Sequence, residues 1–199
     1  MEAISKQPQQ KKRREPRIQS VYSRCLITRK IVLPITTIGK NLRETIEENI
    51  KTNFEGKCVV EGYIKPNSSN IIPNAYSGGI IQRGNNILFE VVFECDICFP
   101  VEGMIIPCIA KNITKAGIRA ESEMDVPSPV VVFIAKDRHY SIAYFPEIKE
   151  GDKINIRVIG QRFELNDKYI SIIGELIKEK EFTQQKFKQP SKPKLVIED

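Results

Sequence analysis

Tryptophan is missing from this 199-residue chain, and there is a single histidine, His139. One imidazole leaves little scope for acid–base chemistry near neutral pH. No G-x-S-x-G elbow and no glycine-rich phosphate loop occurs, so the common nucleophile and nucleotide signatures are absent. No run approaches the roughly 20 apolar residues of a membrane span. The polar, basic start has no apolar stretch behind it, unlike a secretory leader. Five cysteines are an odd number, widely spread, and fit reduced thiols in a cytosolic or nuclear compartment better than a disulfide framework. Catalytic residues and cofactors are therefore not expected.

What is present is an ordinary globular composition, 41% hydrophobic and 28% charged, rich in lysine and isoleucine. The formal charge is +6, and the two ends account for all of it. Residues 1–20 carry six cations against Glu2 and Glu15. Residues 178–199 carry six lysines against four acids. Both ends lack periodicity and read as a disordered basic arm and a flexible tail. The body between them is neutral, which argues against a binder dominated by phosphate contacts.

Residues 21–34 are rich in β-branched side chains and read as a strand. Leu42, Ile46, Ile50 and Phe54 recur every four residues and predict one helix. Asn41 with Glu44 forms a capping-box pattern at its start, and Gly56 stops it. Strands are expected at residues 57–64, from Ile71–Ile72, at 78–82 and over a long run of ~13 residues ending near Phe99. This is an α+β arrangement, a sheet crossed by one helix. Phe99, Pro100 and Gly103 suggest a hinge. Beyond it, strands at 104–113, 117–121, 130–135, 154–163 and 169–176 suit an all-β domain, a five-stranded OB-fold barrel. The expected organisation is an arm at 1–20, a tip domain at 21–102, a barrel at 103–177 and a tail at 178–199.

Cys95 and Cys98 form a C-x-x-C pair inside the long strand pattern. Residues three apart on a strand point to opposite faces, so the two thiols do not share a metal and no metal site is expected. Cys25, Cys58 and Cys108 read as small buried apolar groups. Glu121, Glu123 and Asp125 read as a solvated acidic loop.

In order and spacing, several segments resemble the stalk subunit-seven family of eukaryotic, archaeal and viral DNA-dependent RNA polymerases. The helix LRETIEENIKTNFEGKC runs into GYI. GGIIQRG then leads to FEVVFECDICFPVEGMIIPCIAKNITKAGIRAE, and GDKINIRVIGQRF followed by YISIIGEL resembles a closing hairpin. The resemblance covers residues 21–176. It implies a non-catalytic stalk subunit that docks on polymerase core subunits through its tip. Nascent single-stranded RNA would meet its OB-fold, a companion stalk subunit is a further candidate partner, and no membrane is involved. The chain departs from the family in a short loop after Ala135, in Arg119 where a bulky residue is frequent, and in the basic arm. A compact version with AT-biased coding fits a large cytoplasmic DNA virus, acting in host cytoplasm and virion. A cellular eukaryotic version would act in the nucleus.

For docking, the tip-loop candidates are Lys57, Tyr63, Lys65, Gly78, Gly79, Arg83 and Gly84. The glycines can equally be plain turn residues. On the barrel, OB-folds pair cations with stacking rings. The RNA-binding candidates are Lys111, Lys115, Arg119, Phe133, Lys136, Arg138, His139 and Tyr140, extended by Arg157, Arg162 and Lys168. Phe133 sits in the wholly apolar VVVFIA and competes for a place in the core. Two other readings stay open: a free-standing OB-fold RNA-binding protein of translation or RNA decay, and a scaffold without RNA contact.

Overall fold

The structure, a computed structural model, describes residues 20–139 and 144–177. The arm up to residue 19, the tail from residue 178 and Tyr140 lie outside the described residues.

The amino-terminal half is organised by two long antiparallel strands. Strand β1 (Tyr22–Pro34) pairs with a second strand at Asn86–Cys98 over 13 residue pairs, from Tyr22 opposite Cys98 to Pro34 opposite Asn86. Between them come helix α1 (Leu42–Asn53) and four short strands, β2 (Cys58–Val59), β3 (Gly62–Ile64), β4 (Asn70–Tyr76) and β5 (Ile80–Gln82). The long second strand is therefore β6. It carries β3, β4 and β5 along its other edge, and β2 extends the sheet beyond β3. Strict alternation on β6 buries Phe89, Val91, Phe93, Cys95 and Ile97 on one face. Ile46 and Ile50 of α1 are buried in the same cluster, with Leu42 and Phe54 at its margin, so the fourfold stripe is the packed face of the helix.

Two local expectations change. Asn41 precedes the helix, but its side chain makes no capping bond, because its backbone (φ −102°, ψ 30°) is not extended as a capping residue requires. Its carbonyl instead accepts from the Thr45 amide at 3.0 Å and from the Thr45 hydroxyl at 3.1 Å. The run at 57–64 is not one strand: it turns at Val60–Glu61 into the β2–β3 hairpin. Gly62 makes that turn possible. Its φ is +132°, and a Cβ there would strike the Cys98 carbonyl oxygen.

The carboxyl-terminal half is a closed five-stranded barrel of β7 (Ile105–Ile113), β8 (Gly117–Ser122), β9 (Val130–Ala135), β10 (Lys153–Arg162) and β11 (Ile170–Leu176). Neighbours run β10–β11–β9–β8–β7, and β10 closes the ring on β7. All pairs are antiparallel except β11 with β9. This is the OB-fold expected after Gly103.

The two halves have separate cores that meet at one end of the tip sheet. The barrel core takes in Val21, Cys58, Tyr63 and Cys98 from the first half. Cys95 and Cys98 thus enter different cores, as the strand period requires. The Cys58 amide donates to the Asp167 carbonyl at 2.8 Å, and the Cys58 carbonyl accepts from the Asn166 amide at 2.9 Å. Lys65 Nζ reaches Asp125 Oδ1 at 3.1 Å and lies 4.6 Å from the centre of the Tyr22 ring. The expected hinge is pinned: the Phe99 ring meets Phe163 edge-on at 6.3 Å, and the Gly103 amide donates to the Val158 carbonyl at 2.8 Å.

Phe93 lies at the centre of the tip core, fully buried 6.4 Å from the Phe54 ring. Phe93→Ala is expected to lower unfolding free energy by about 3–5 kcal/mol. Guanidinium denaturation followed by circular dichroism measures it, and a loss under about 1 kcal/mol would contradict this packing.

Candidate functional site

In the barrel, side chains alternate between core and exterior, so register decides which residues share the outer face. Arg119 on β8 stands opposite Phe133 on β9, and Phe133 stands opposite Ile173 on β11. The three form one row across the exterior. Phe133 is 47% exposed and Ile173 is 55% exposed, while their neighbours Val132, Ile134 and Ile172 fill the core. The competing placement of Phe133 in the core is therefore not the one observed. One step down the strands, two residues along, Ile109, Glu121 and Val131 form the next row.

Cations flank these rows. Lys115 sits in the tight β7–β8 turn, where Thr114 and Gly117 bond each other's backbone. The Lys136 amide donates to the Ala116 carbonyl at 2.9 Å, which brings the 3-10 turn Lys136–Arg138 against that β7–β8 turn. Lys115, Lys136 and Arg138 are thus exposed together at one end of the barrel. Lys111 and Lys168 line a hollow at the other end, with Arg119. Several of these cations are already partnered: Arg119 with Glu121 at 3.3 Å, Arg157 with Glu175 at 3.3 Å and Arg162 with Glu164 at 3.2 Å. Exposed pairs of this kind are weak and exchange readily for a phosphate. The acidic cluster is likewise paired, Glu123 with Lys153 and Asp125 with Lys65.

His139 is not a surface contact. It is 1% exposed, and its ring stacks on Phe145 at 5.6 Å. Nδ1 lies 2.7 Å from the Ala135 carbonyl, and Nε2 accepts from the Leu176 amide at 3.0 Å. That pairing fixes the neutral tautomer with the proton on Nδ1. The residue joins the end of β9 to the end of β11 and has no nitrogen left for a ligand.

The docking candidates divide between opposite ends of β6, about 40 Å apart along a 13-residue strand. Tyr63 and Lys65 belong to the contact between the halves. Tyr63 is fully buried there, and burial pushes its phenol above the ordinary value. Lys57 caps the end of α1, donating from Nζ to the Thr52 carbonyl at 3.0 Å. Gly78, Gly79, Arg83 and Gly84 lie at the far end, around β5. A Cβ at Gly79 would strike Ile87 and crowd the Phe89 ring, so that glycine is needed for strand packing. Gly84, with φ +80°, makes the turn into β6, whereas Gly78 has open space around it. The far end also exposes Val32, Ile35, Ile80 and Ile81, the last by 79%. Leu88 opposes both Val32 and Ile80, continuing an apolar row across three strands. Ile80 and Ile81 fall within the 77–84 turn expected to dock, although their own side chains were not among the candidates.

No family model matches the chain. Curated relatives do. A protein of Acanthamoeba polyphaga mimivirus, provisionally named DNA-directed RNA polymerase subunit L376, is 27% identical over 175 residues. The match covers 80% of this chain and 83% of the mimivirus protein. DNA-directed RNA polymerase II subunit 7 of Arabidopsis thaliana is 20% identical over 179 residues, covering 78% of this chain and 98% of its own length. Subunit RPB7 of the same enzyme from Glycine max is 20% identical over 162 residues, covering 74% and 88%. Over most of its length this chain is similar to subunit seven of DNA-directed RNA polymerases.

The chain joins a helix-crossed tip to an OB barrel, and its thiols serve that packing. Burial pushes the thiols of Cys58, Cys95, Cys98 and Cys108 up to about 12. At pH 8 only about one in 10⁴ of each is thiolate. Cys25 is half-buried, at the margin of the tip core, where full burial was expected. In the native chain, Cys25 is expected to react first with a thiol-specific chromophore, the other four only after unfolding. Rapid modification of two or more thiols in the folded protein would contradict this.

Proposed function

We propose that this chain is a non-catalytic stalk subunit of a multisubunit DNA-directed RNA polymerase. Its tip docks on the core enzyme and its barrel guides single-stranded RNA. Relatives that match it over most of their length are named as polymerase subunits. The observation that carries the RNA role is the exposed row Arg119–Phe133–Ile173 on the barrel's middle strands. A soluble domain normally buries such a phenylalanine, and a ring beside a guanidinium on an OB-fold strand suits a stacked base.

Docking is assigned to the far end of the tip, where Val32, Ile35, Ile80 and Ile81 are exposed beside Arg83. An apolar patch rimmed by polar residues is the usual form of a protein–protein contact. Lys57, Tyr63 and Lys65 are left out, since they are occupied within the chain. The RNA track comprises Lys115, Lys136 and Arg138, then Arg119 and Phe133, then Lys111 and Lys168. Arg157 and Arg162 lie on β10 at its margin. A free-standing RNA binder would have no need of the exposed tip end. A companion stalk subunit is compatible with the remaining exposed sheet. The mimivirus relative favours a viral setting in host cytoplasm and virion.

Two measurements test the proposal. Affinity purification of the tagged full chain from its native source is expected to bring down the large polymerase subunits, and Ile80→Asp to reduce their recovery; recovery of the chain alone would overturn the docking role. Phe133→Ala is expected to weaken binding of a labelled single-stranded RNA by about 1–3 kcal/mol without altering the fold. Unchanged affinity would remove Phe133 from the RNA interface.

A further inference from the structure

The hollow beside the Phe133 row has a volume of about 340 Å³, at the small end of ligand-site sizes and ample for one nucleobase. Its floor is the row Ile109, Glu121 and Val131. Its walls are the β8–β9 loop at Val126–Ser128 and, facing it, Lys168 and Tyr169. Val131 is almost fully buried although it points outward from the barrel. The floor lies two residues along β8 and β9 from Arg119 and Phe133, about 7 Å away.

We propose that this hollow receives the base adjoining the one stacked on Phe133, and that it selects a base with an exocyclic amine where uracil has its O4 carbonyl, cytosine or adenine, over uracil. The inference rests on the RNA-binding reading of the barrel. The selectivity follows from the sign of the charges. A hollow meant for phosphate would show cations throughout, whereas Glu121, Glu123 and Asp125 line this one. Each carboxylate is held by a cation: Glu121 by Arg119, Glu123 by Lys153 and Asp125 by Lys65. An ionised carboxylate has acceptors only. A carboxylate accepts from the amino group of cytosine or adenine. Uracil presents a carbonyl oxygen at the corresponding position and is repelled. Apolar contact comes from Ile109 and Val131 below the base and from Tyr169 beside it. Lys111 and Lys168 at the rim are placed for the flanking phosphates. The platform row thus supplies sequence-tolerant stacking, and the hollow adds a preference at one position.

The test uses the full chain and fluorescence anisotropy at fixed salt, with single-stranded oligocytidylate, oligoadenylate and oligouridylate of about 12 nucleotides, within the span of one OB-fold. Oligocytidylate and oligoadenylate are expected to bind about five- to tenfold tighter than oligouridylate. Glu121→Gln is expected to bring those ratios close to one, whatever it does to overall affinity by releasing Arg119. Phe133→Ala is expected to weaken all three alike. In parallel, cytidine 5′-monophosphate is expected to shift the methyl resonances of Ile109 and Val131 more than uridine 5′-monophosphate does. Equal binding of the three oligomers, or a preference that survives Glu121→Gln, would overturn the hollow as a selective site and leave the stacking platform standing. Absence of binding to any oligomer would overturn the RNA reading and this site together.

Discussion

Everything in the molecule hangs on the bonds Cys58 makes with the β10–β11 hairpin. Its amide and carbonyl both engage the 166–167 turn, so a residue of the tip is zipped onto the barrel as a strand would be. Around that join, Tyr63, Cys98 and Val21 fill the end of the barrel core, and Lys65 bonds Asp125 beside the Tyr22 ring. Burial raises the Tyr22 phenol above its ordinary value, with the charge of Asp125 next in effect. Two domains joined only by a short linker would be free to reorient. Here the join fixes the direction of β6 relative to the barrel, and with it the distance between the exposed far end of the tip and the Phe133 row.

That fixed geometry explains how the functional surfaces are distributed. Near the join, Tyr63 and Lys65 hold the halves together. The surfaces left open are the far tip end and the outer face of β8, β9 and β11. His139 works in the same way within the barrel, spending both ring nitrogens to tie β9 to β11. Lys136 and Arg138 of the preceding 3-10 turn remain exposed.

Much of the fold was legible in the sequence because periodicity is local. The fourfold stripe of α1 and the alternation of β6 appear directly in residue order, and the strands of the barrel fall close to their expected ranges. The site was less legible. VVVFIA and YISIIGEL are apolar on both faces, so nothing in them says that Phe133 and Ile173 face outward; only closure of the barrel decides it. His139 lies among charged residues in KDRHY, and its burial depends on Leu176 and Phe145, which are distant in sequence. The pairing of Lys65 with Asp125 spans 60 positions and is invisible to local pattern. The C-x-x-C spacing was readable because it needed only the strand period.

The parallel pairing of β9 with β11 has a temporal consequence. No hairpin can make it, since β10 must be laid down between the two and then folded back against β7. On the ribosome, the tip sheet can assemble as soon as β6 emerges. The barrel stays open until β11 is released. Until then β9 presents an open edge of unpaired backbone N–H and C=O groups, a surface prone to adhesion in a nascent chain.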